Sequence, residues 1–460
     1  MLTVQDVAAG VGGLLLHPVA NAGAGRAFRA VAVDSRAVTE GALFVALPGE
    51  RTDGHRFIAG AIRNGASGVL AKAWPADLPS GLRERATLFA VNEPLTALQD
   101  LAAYWRGRFP IPAIAVTGSV GKTSTKEAIA HLLCARYNVL QSTGNLNTEI
   151  GLPMVLLRLE PEHDRMVLEM GMHHAGDIAL LCKLAQPQVG VVTNVGPTHL
   201  ERMGDIQRIA EAKAELPASL PRTGTAILNA DDPLVRGMAA CTQASVVTYG
   251  TDAGADCRAT DIRTYGLDGI AFTLAWQGEQ RAVRTPMIGR HNVYTALSAA
   301  AVALGQGFSL AEACDGLAGL PDSARVTVRH TRNGALVLDD TYNASPASMK
   351  AALDLLADVP GRRVAVLADM LELGTFEEEG HRQVGCYAAQ RAQALHAIGP
   401  RCRAMADAAA GSGRCAVEYH ATKAGALAAL QRADVPGTVF LFKGSRGMAL
   451  EELVGAMCGS

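Results

Sequence analysis

One glycine-rich loop most strongly constrains how this chain can fold. The apolar run Ile111 to Val116 is typical of a buried strand, and an alanine- and leucine-rich helical stretch begins near Ser124. Between them, glycines let backbone N–H groups approach phosphate oxygens, a lysine offsets phosphate charge and a threonine hydroxyl can bind Mg²⁺. Kinases, GTPases and ligases share such loops, so the motif alone names no reaction. The sequence predicts a nucleotide-binding loop formed by Gly118, Ser119, Val120, Gly121, Lys122, Thr123 and Ser124.

The rest of the chain alternates between two kinds of segment. Short β-branched runs that end in Gly, Asn or Asp are followed by helical stretches rich in alanine and leucine, which is typical of parallel sheets with crossover helices. A length of 460 residues exceeds what one hydrophobic core usually organises. We therefore expect an α/β protein of three domains. These are a small α/β domain at 1–90, a central parallel-sheet domain resembling P-loop ATPases at 91–320, and a Rossmann-like domain at 321–460.

Composition excludes several classes of partner. The formal net charge is -2 with both signs mixed along the chain, so neither nucleic acid nor an anionic membrane is an expected partner. The nine cysteines are scattered without a CxxC pair, which favours a reduced compartment. No apolar run approaches the ~20 residues that span a bilayer. We expect a cytoplasmic protein without membrane insertion.

Polar residues stand where predicted strands of the central domain end. Glu169 follows one apolar run, Asn194 follows another, and His199 lies a few residues further on. Parallel sheets bind ligands beyond the carboxyl ends of their strands, and Mg²⁺ prefers oxygen ligands. A carboxylate close to the hydroxyl of Thr123 therefore suits a magnesium site. A loop histidine by itself is more often a structural residue than a ligand.

Two other groups of polar residues can be explained by structural roles alone. Lys213 lies in a helical stretch among glutamates, where the residues alone predict a solvated lysine that pairs with its neighbours. Asn229, Asp231 and Asp232 follow a further strand and fit either an Asx-rich turn that caps the next helix or a ligand site. Neither group establishes a function by itself.

Taken together and in order, these motifs resemble the Mur ligase family. The resemblance covers all three predicted domains. It rests on the segments Thr117–Thr123, Gly144-Asn145-Leu146-Asn147, Glu169-Met170-Gly171, His199-Leu200-Glu201 and Ala212-Lys213-Ala214-Glu215.

The resemblance implies ATP and Mg²⁺ as cofactors and assigns roles to individual residues. Lys122, Lys213 and His199 would be catalytic, with Lys213 carbamylated. Thr123 and Glu169 would bind Mg²⁺, and His199 would help to hold a second ion. For the nucleotide, the resemblance implies Asn292 near the adenine, with Arg325 and Asp340 reaching it from the C-terminal domain.

The resemblance also implies the substrates. Asp34-Ser35-Arg36 resembles the part of the family's first domain that recognises UDP, and the segment that begins at Asp340 resembles the member that adds D-alanyl-D-alanine. The implied partners are UDP-N-acetylmuramoyl-tripeptide and D-alanyl-D-alanine, joined through an acyl phosphate by a monomeric enzyme. The candidate substrate residues are Asp34, Ser35, Arg36, Asn145, Asn147, Asn343, Lys443, Ser445 and Arg446. The alternatives are a relative that adds a single amino acid and a P-loop regulatory ATPase.

Overall fold

The computed structural model describes residues 1–12, 27–49, 52–198, 200–321 and 326–459, together with the backbone of 14–17. Two predicted site residues, His199 and Arg325, lie outside these described residues.

The N-terminal region is built on a mostly parallel sheet of order β2-β7-β6-β5-β4, with β2 antiparallel at one edge. Its central strands are apolar and buried on both faces, as expected for parallel strands covered by helices. A short pair, β1-β3, lies apart from this sheet. The elements are β1 Leu2–Thr3, α1 Val4–Val11, β2 Leu14–His17, β3 Ala27–Phe28, β4 Val31–Ala32, β5 Leu43–Val45, α2 Ile58–Arg63, β6 Gly68–Ala71, α3 Ser80–Arg83 and β7 Thr87–Ala90.

The central region begins with a long helix and a run of parallel strands. Its elements are α4 Pro94–Gly107, β8 Ala113–Thr117, α5 Lys122–Leu133, β9 Val139–Gln141, α6 Gly151–Leu156, β10 Arg165–Glu169, α7 Asp177–Ala185, β11 Val189–Val192, α8 Leu200–Met203, α9 Ile206–Ala218, β12 Thr225–Asn229, α10 Pro233–Gly237, β13 Ser245–Gly250, β14 Cys257–Thr264, β15 Ile270–Trp276, β16 Glu279–Thr285, α11 Asn292–Gly305 and α12 Leu310–Ala318.

The described strands of this region form one sheet of order β16-β15-β14-β13-β12-β11-β8-β10-β9. It is parallel from β9 to β14, whereas β14, β15 and β16 pair antiparallel. Strand β8 has β11 on one side and β10 on the other, so the chain reverses its direction of travel across the sheet there. Ligands of open α/β sheets bind at such a point, and the glycine loop follows β8 directly.

The C-terminal region forms a six-stranded sheet of described strands in the order β17-β18-β22-β19-β20-β21, parallel except for the edge strand β17. Asp340 and Lys443 are register partners at the ends of β18 and β22. The elements are β17 Thr327–His330, β18 Leu336–Asp340, α13 Pro346–Asp358, β19 Arg362–Ala368, α14 Glu377–Ala388, β20 Ala394–Ile398, α15 Arg403–Gly411, β21 Ala416–His420, α16 Lys423–Ala433, β22 Thr438–Lys443 and α17 Glu451–Cys458.

The predicted alternation of parallel strands and helices is confirmed, whereas the antiparallel strands β14 to β16 were not anticipated. The boundaries near residues 90 and 320 stay predictions. Val7 of α1, Leu101 of α4 and Leu152 of α6 belong to one hydrophobic cluster, so the first two regions share apolar contacts. Within the described residues, no helix combines the length and apolar character needed to cross a bilayer.

Candidate active site

The glycine loop turns sharply after β8 because its first residue has no side chain. Gly118 has φ of +143°, and a Cβ atom there would lie 1.9 Å from Oγ1 of Thr193. Gly121, with φ of +86°, directly precedes α5. The first N–H groups of a helix have no partner inside the helix, and its N-terminus carries a partial positive charge. Lys122, Thr123 and Ser124 therefore begin a helix whose exposed N–H groups suit a phosphate.

Asn194, at the end of β11, holds this loop in shape. The N–H groups of Ser119 and Val120 donate to the carbonyl and side-chain oxygens of Asn194, each at 2.9 Å. The side-chain amide of Asn194 donates to the carbonyl of Val120, also at 2.9 Å. The Ser119 hydroxyl donates to the carbonyl of Gly196 and accepts from its N–H group. Two N–H groups of the predicted phosphate loop are thus engaged by Asn194, and the N–H groups at the start of α5 are further donors that suit a phosphate.

The side chain of Lys122 curls back over the loop. Its ammonium group donates to the carbonyl of Gly118 at 2.8 Å and lies 3.5 Å from the carbonyl of Ser119. This position places a positive charge beside the loop's backbone donors. A lysine there can offset charge on the outer phosphates of a nucleotide.

The predicted metal residues lie together. The hydroxyl of Thr123 donates to Oε2 of Glu169 at 2.8 Å, and the amide of Asn147 donates to Oε1 at 2.7 Å. Glu169 is only 4% exposed, and its N–H group donates to the hydroxyl of Ser142. Hydroxyl and carboxylate oxygens are the donors that Mg²⁺ accepts, so these side chains fit the ion.

Lys213, on α9, is buried rather than solvated, so the interpretation as a surface lysine is wrong. It is 2% exposed. Burial, and to a smaller extent the positive charge of Lys122, holds the pKa of Lys213 well below its ordinary value. Glu215 does not pair with it, because its carboxylate accepts from the N–H groups of Gly176 and Ala179 at the start of α7. The fold therefore places an amine that favours its neutral form next to the phosphate-loop lysine.

Asn292, predicted to contact adenine, is the first residue of α11 and is itself buried. Its amide group donates to the carbonyl of Ile288 at 2.7 Å, and its side-chain oxygen accepts from Thr295 at 3.2 Å. These bonds fix the turn that enters the helix. The predicted adenine contact stays a prediction.

The C-terminal region brings three predicted residues together, of which Asp340 and Lys443 are buried and Asn343 is exposed. Nζ of Lys443 lies 2.7 Å from Oδ2 of Asp340 and donates to the carbonyl of Asn343 at 2.9 Å. Ser445 is engaged elsewhere, because its hydroxyl accepts from the N–H group of Leu371.

Arg446 forms an ion pair at 3.0 Å with Glu451. Its guanidinium group is largely exposed, with 66% of the side chain accessible. Among the four predicted substrate residues of this region, Asn343 and Lys443 lie together, whereas Ser445 and Arg446 make separate contacts.

The predicted UDP segment forms a short exposed turn after β4. Asp34 accepts from the N–H group of Arg36 at 2.9 Å and pairs with its guanidinium group at 2.6 Å. The bond from the Arg36 side chain lowers the pKa of Asp34 to about 2. The carbonyl of Ser35 accepts from Asn64. Asn145, a further predicted substrate residue, is also exposed.

Several residues that support the site were missed or left open by the sequence. Lys126 is buried on α5, one turn after Thr123, and donates to the carbonyl of Ser142 at 2.9 Å. Asp232 caps α10 and accepts from the N–H group of Val195, which favours the structural interpretation of that residue. The spacing of Thr123 and Lys126 on one helix face was the available signal for Lys126.

Comparisons with known proteins agree with this geometry. Residues 27–106 match the Mur ligase family catalytic domain, 116–303 match the Mur ligase middle domain, and 324–446 match the Mur ligase glutamate ligase domain. The chain therefore belongs to the Mur ligase family. The family, the ligase class and the α/β fold predicted from the sequence are confirmed.

Individual relatives show which members of the family this chain is similar to. The chain is 35% identical over 457 residues to a UDP-N-acetylmuramoyl-tripeptide--D-alanyl-D-alanine ligase of Bacillus subtilis, covering 98% of this chain and 97% of the relative. A crystal structure of MurF from Acinetobacter baumannii has a TM-score of 0.88 and 31% identity, covering 100% of this chain and 99% of that one. The MurF ligase of Thermotoga maritima, solved in complex with ADP, has a TM-score of 0.81 and 29% identity, covering 94% and 97% of the two chains.

Proposed function

We propose that this chain is an ATP-dependent ligase that joins D-alanyl-D-alanine to the terminal carboxylate of UDP-N-acetylmuramoyl-tripeptide. The products would be UDP-N-acetylmuramoyl-pentapeptide, ADP and phosphate. The observation that carries the proposal is the cluster of Thr123, Glu169 and Asn147 beside the phosphate loop. The names and nearly full coverage of the relatives support the choice of substrates.

In the first step, an oxygen of the tripeptide carboxylate attacks the γ-phosphorus of ATP. A new O–P bond forms, the bond to the β-phosphate oxygen breaks, and ADP leaves with that electron pair. Lys122 and the N-terminus of α5 stabilise the negative charge that spreads over the transferred group. The rigid attachment of the loop to Asn194 keeps these donors in place without reorganisation.

Thr123 and Glu169 would hold Mg²⁺, with Asn147 fixing the carboxylate. When bound, the ion supplies positive charge for the phosphate oxygens. His199 and Arg325 keep their proposed roles at a second Mg²⁺ and at the nucleotide, although both lie outside the described residues. Asp340 and Asn292 complete the proposed nucleotide contacts.

Lys213 is proposed to be carbamylated. Only a neutral amine reacts with CO₂, and burial beside Lys122 favours that neutral form. Attack by Nζ on CO₂ forms an N–C bond and releases a proton. The positive charge of Lys122 would balance the resulting anionic carbamate. The carbamate could then act where the phosphates of the nucleotide bind.

In the second step, the amine of D-alanyl-D-alanine attacks the carbonyl carbon of the acyl phosphate. The C–N bond forms, the C–O bond to phosphate breaks, and the amine loses a proton. Asp34, Ser35, Arg36, Asn145 and Asn147 are proposed to bind the UDP-linked substrate, and Asn343, Lys443, Ser445 and Arg446 to act from the C-terminal region. Exclusion of water by domain closure would protect the intermediate. The proposal includes a cytoplasmic, monomeric enzyme.

Isotope transfer tests the acyl phosphate directly. With the tripeptide carboxylate labelled by ¹⁸O, the released phosphate is expected to carry one labelled oxygen for each turnover. A phosphate without label would exclude this route. A P-loop regulatory ATPase would hydrolyse ATP without either acceptor, and a ligase for single amino acids would accept one in place of the dipeptide.

A further inference from the structure

Two clusters of potential metal ligands lie in the C-terminal region, far along the chain from the nucleotide loop. Among the described residues, Asp369, His381 and Cys402 form one, and His396, Glu418 and His420 form the other. In the first cluster, both ring nitrogens of His381 already have backbone partners. Nε2 of His381 accepts from the N–H group of Met370, and Nδ1 lies 2.7 Å from the carbonyl of Glu377. With both ring nitrogens engaged in this way, the first cluster has no imidazole ready for a metal.

The second cluster has a different geometry. Nδ1 of His396 lies 3.1 Å from Nε2 of His420, and the two rings are nearly parallel, with an interplanar angle of 12°. Oε2 of Glu418 lies 4.0 Å from Nε2 of His420. We propose that His396, Glu418 and His420 form a binding site for a divalent transition metal of the Zn²⁺ type.

Strand pairing explains why these side chains converge. Glu418 and His420 are two residues apart on β21, so both point to the same face of the sheet. His396 lies on the neighbouring strand β20, in register with Glu418. Two adjacent strands therefore provide three ligands from one rigid surface, which is the arrangement that a preorganised metal site needs.

The distances require only small movements to hold an ion. Zn²⁺ takes imidazole nitrogens at about 2.0–2.1 Å, which in tetrahedral geometry separates two ligand atoms by roughly 3.3 Å. The nitrogen–nitrogen distance is already close to that value. Glu418 is half exposed, with 53% of its side chain accessible, and the three ligand atoms lie within 4.8 Å of one another, so its carboxylate can move inward to complete the set.

The surroundings leave room for a fourth ligand. His396 and Glu418 line a cavity of about 160 Å³ beneath α16, together with Arg362 and Arg432. The two guanidinium groups oppose a cation, and an anionic fourth ligand such as chloride would offset their charge. The protein would supply three ligands, and the cavity beside His396 and Glu418 leaves space for a solvent or anion ligand.

Binding of Zn²⁺ to the full-length protein tests this assignment. Untagged protein, stripped of metal with EDTA, is titrated with Zn²⁺ in competition with a chromophoric chelator, and with Co²⁺ as a spectroscopic probe. One equivalent of Zn²⁺ is expected in the wild type. His420→Ala should lower the affinity for this Zn²⁺ ion by at least about 100-fold, since the loss of an outer-shell partner alone typically lowers metal affinity by 10–100-fold. Glu418→Gln, at a half-exposed position that tolerates substitution, should also lower the affinity for Zn²⁺.

Two control variants distinguish Zn²⁺ binding at this site from effects elsewhere in the protein. His330→Ala removes an exposed histidine from β17 of the same sheet and should leave the equivalent unchanged. Glu169→Gln alters the proposed Mg²⁺ site and should also leave it unchanged, so failure of the ligase proposal would not affect this result. Zn²⁺ should raise the thermal midpoint of the wild type but not of His420→Ala. The absence of a stoichiometric Zn²⁺ equivalent, or its retention in both ligand variants, would overturn the assignment.

Discussion

The hydroxyl of Thr123, at the start of α5, donates a 2.8 Å hydrogen bond to the buried carboxylate of Glu169 at the end of β10. This contact joins the phosphate loop to a neighbouring strand 46 residues further along the chain. Asn147 holds the other carboxylate oxygen. The two residues expected to share Mg²⁺ are therefore fixed relative to each other by the protein itself.

Glu169→Gln removes the negative charge of this carboxylate while nearly preserving its shape. We expect kcat to fall by about 100- to 1,000-fold, because charge stabilisation of phosphoryl transfer is lost. The Mg²⁺ concentration for half-maximal rate should rise in parallel. Steady-state rates measured across a Mg²⁺ titration check this, and an unaltered Mg²⁺ dependence would remove Glu169 from the proposed metal site.

Asn194→Ala should loosen the glycine loop. The change deletes the two side-chain hydrogen bonds to Val120, each of which contributes about 0.5–1.5 kcal/mol. The Val120 carbonyl keeps the bond from the Thr193 hydroxyl, whereas the half-buried N–H group loses its side-chain partner. The KM for ATP is expected to rise by roughly 10-fold. Asn138→Ala is the matched control, because Asn138 is exposed and its side-chain amide donates to the carbonyl of Glu162. Equal KM values for the two variants would contradict a positioning role for Asn194.

Lys213→Met should stabilise the protein at neutral pH and abolish ligase activity. The folded-state pKa of Lys213 lies below its ordinary value of 10.5, so the unfolded chain binds this proton more tightly. Burial of the lysine therefore costs most at low pH, and the cost falls as pH rises from the folded pKa toward 10.5. In bicarbonate-free buffer the variant should have the higher thermal midpoint at pH 7, with a difference that shrinks at higher pH. A lower midpoint at pH 7 would contradict this account.

Lys443→Met should destabilise the C-terminal region. It removes the Lys443 ammonium group from the buried carboxylate of Asp340, and breaking a buried pair typically costs about 3–5 kcal/mol. The double variant Asp340→Asn with Lys443→Met should recover part of that loss, because neither side chain of the pair is then charged. Urea unfolding of the two variants compares the free energies. A double variant less stable than Lys443→Met would refute this explanation.

Local patterns account for the parts of the fold that could be predicted. The strand before Gly118 was predicted at Ile111 to Val116 and lies at Ala113–Thr117, and Glu169 closes an apolar strand as predicted. The antiparallel strands β14 to β16 were missed because half-exposed edge strands carry a weaker apolar signal than buried ones.

Long-range contacts explain what the sequence could not reveal about the site. Lys213 lies among glutamates in a helix, and its burial, close enough to Lys122 for the two charges to interact, depends on how α9 packs in the fold. The pairing of Asp340 with Lys443 spans 103 residues and depends on β18 and β22 becoming neighbours. Such a contact follows from strand order, which local propensity does not determine.

The most direct test of the central claim is release of phosphate from Mg²⁺-ATP with UDP-N-acetylmuramoyl-tripeptide and D-alanyl-D-alanine together, with each or both omitted, and with single amino acids in place of the dipeptide. Mass spectrometry of the nucleotide-linked product accompanies the assay. The account predicts sustained release only when both acceptors are present, with one pentapeptide product formed per phosphate. Equal release without either acceptor, or product formation from a single amino acid in place of the dipeptide, would contradict it.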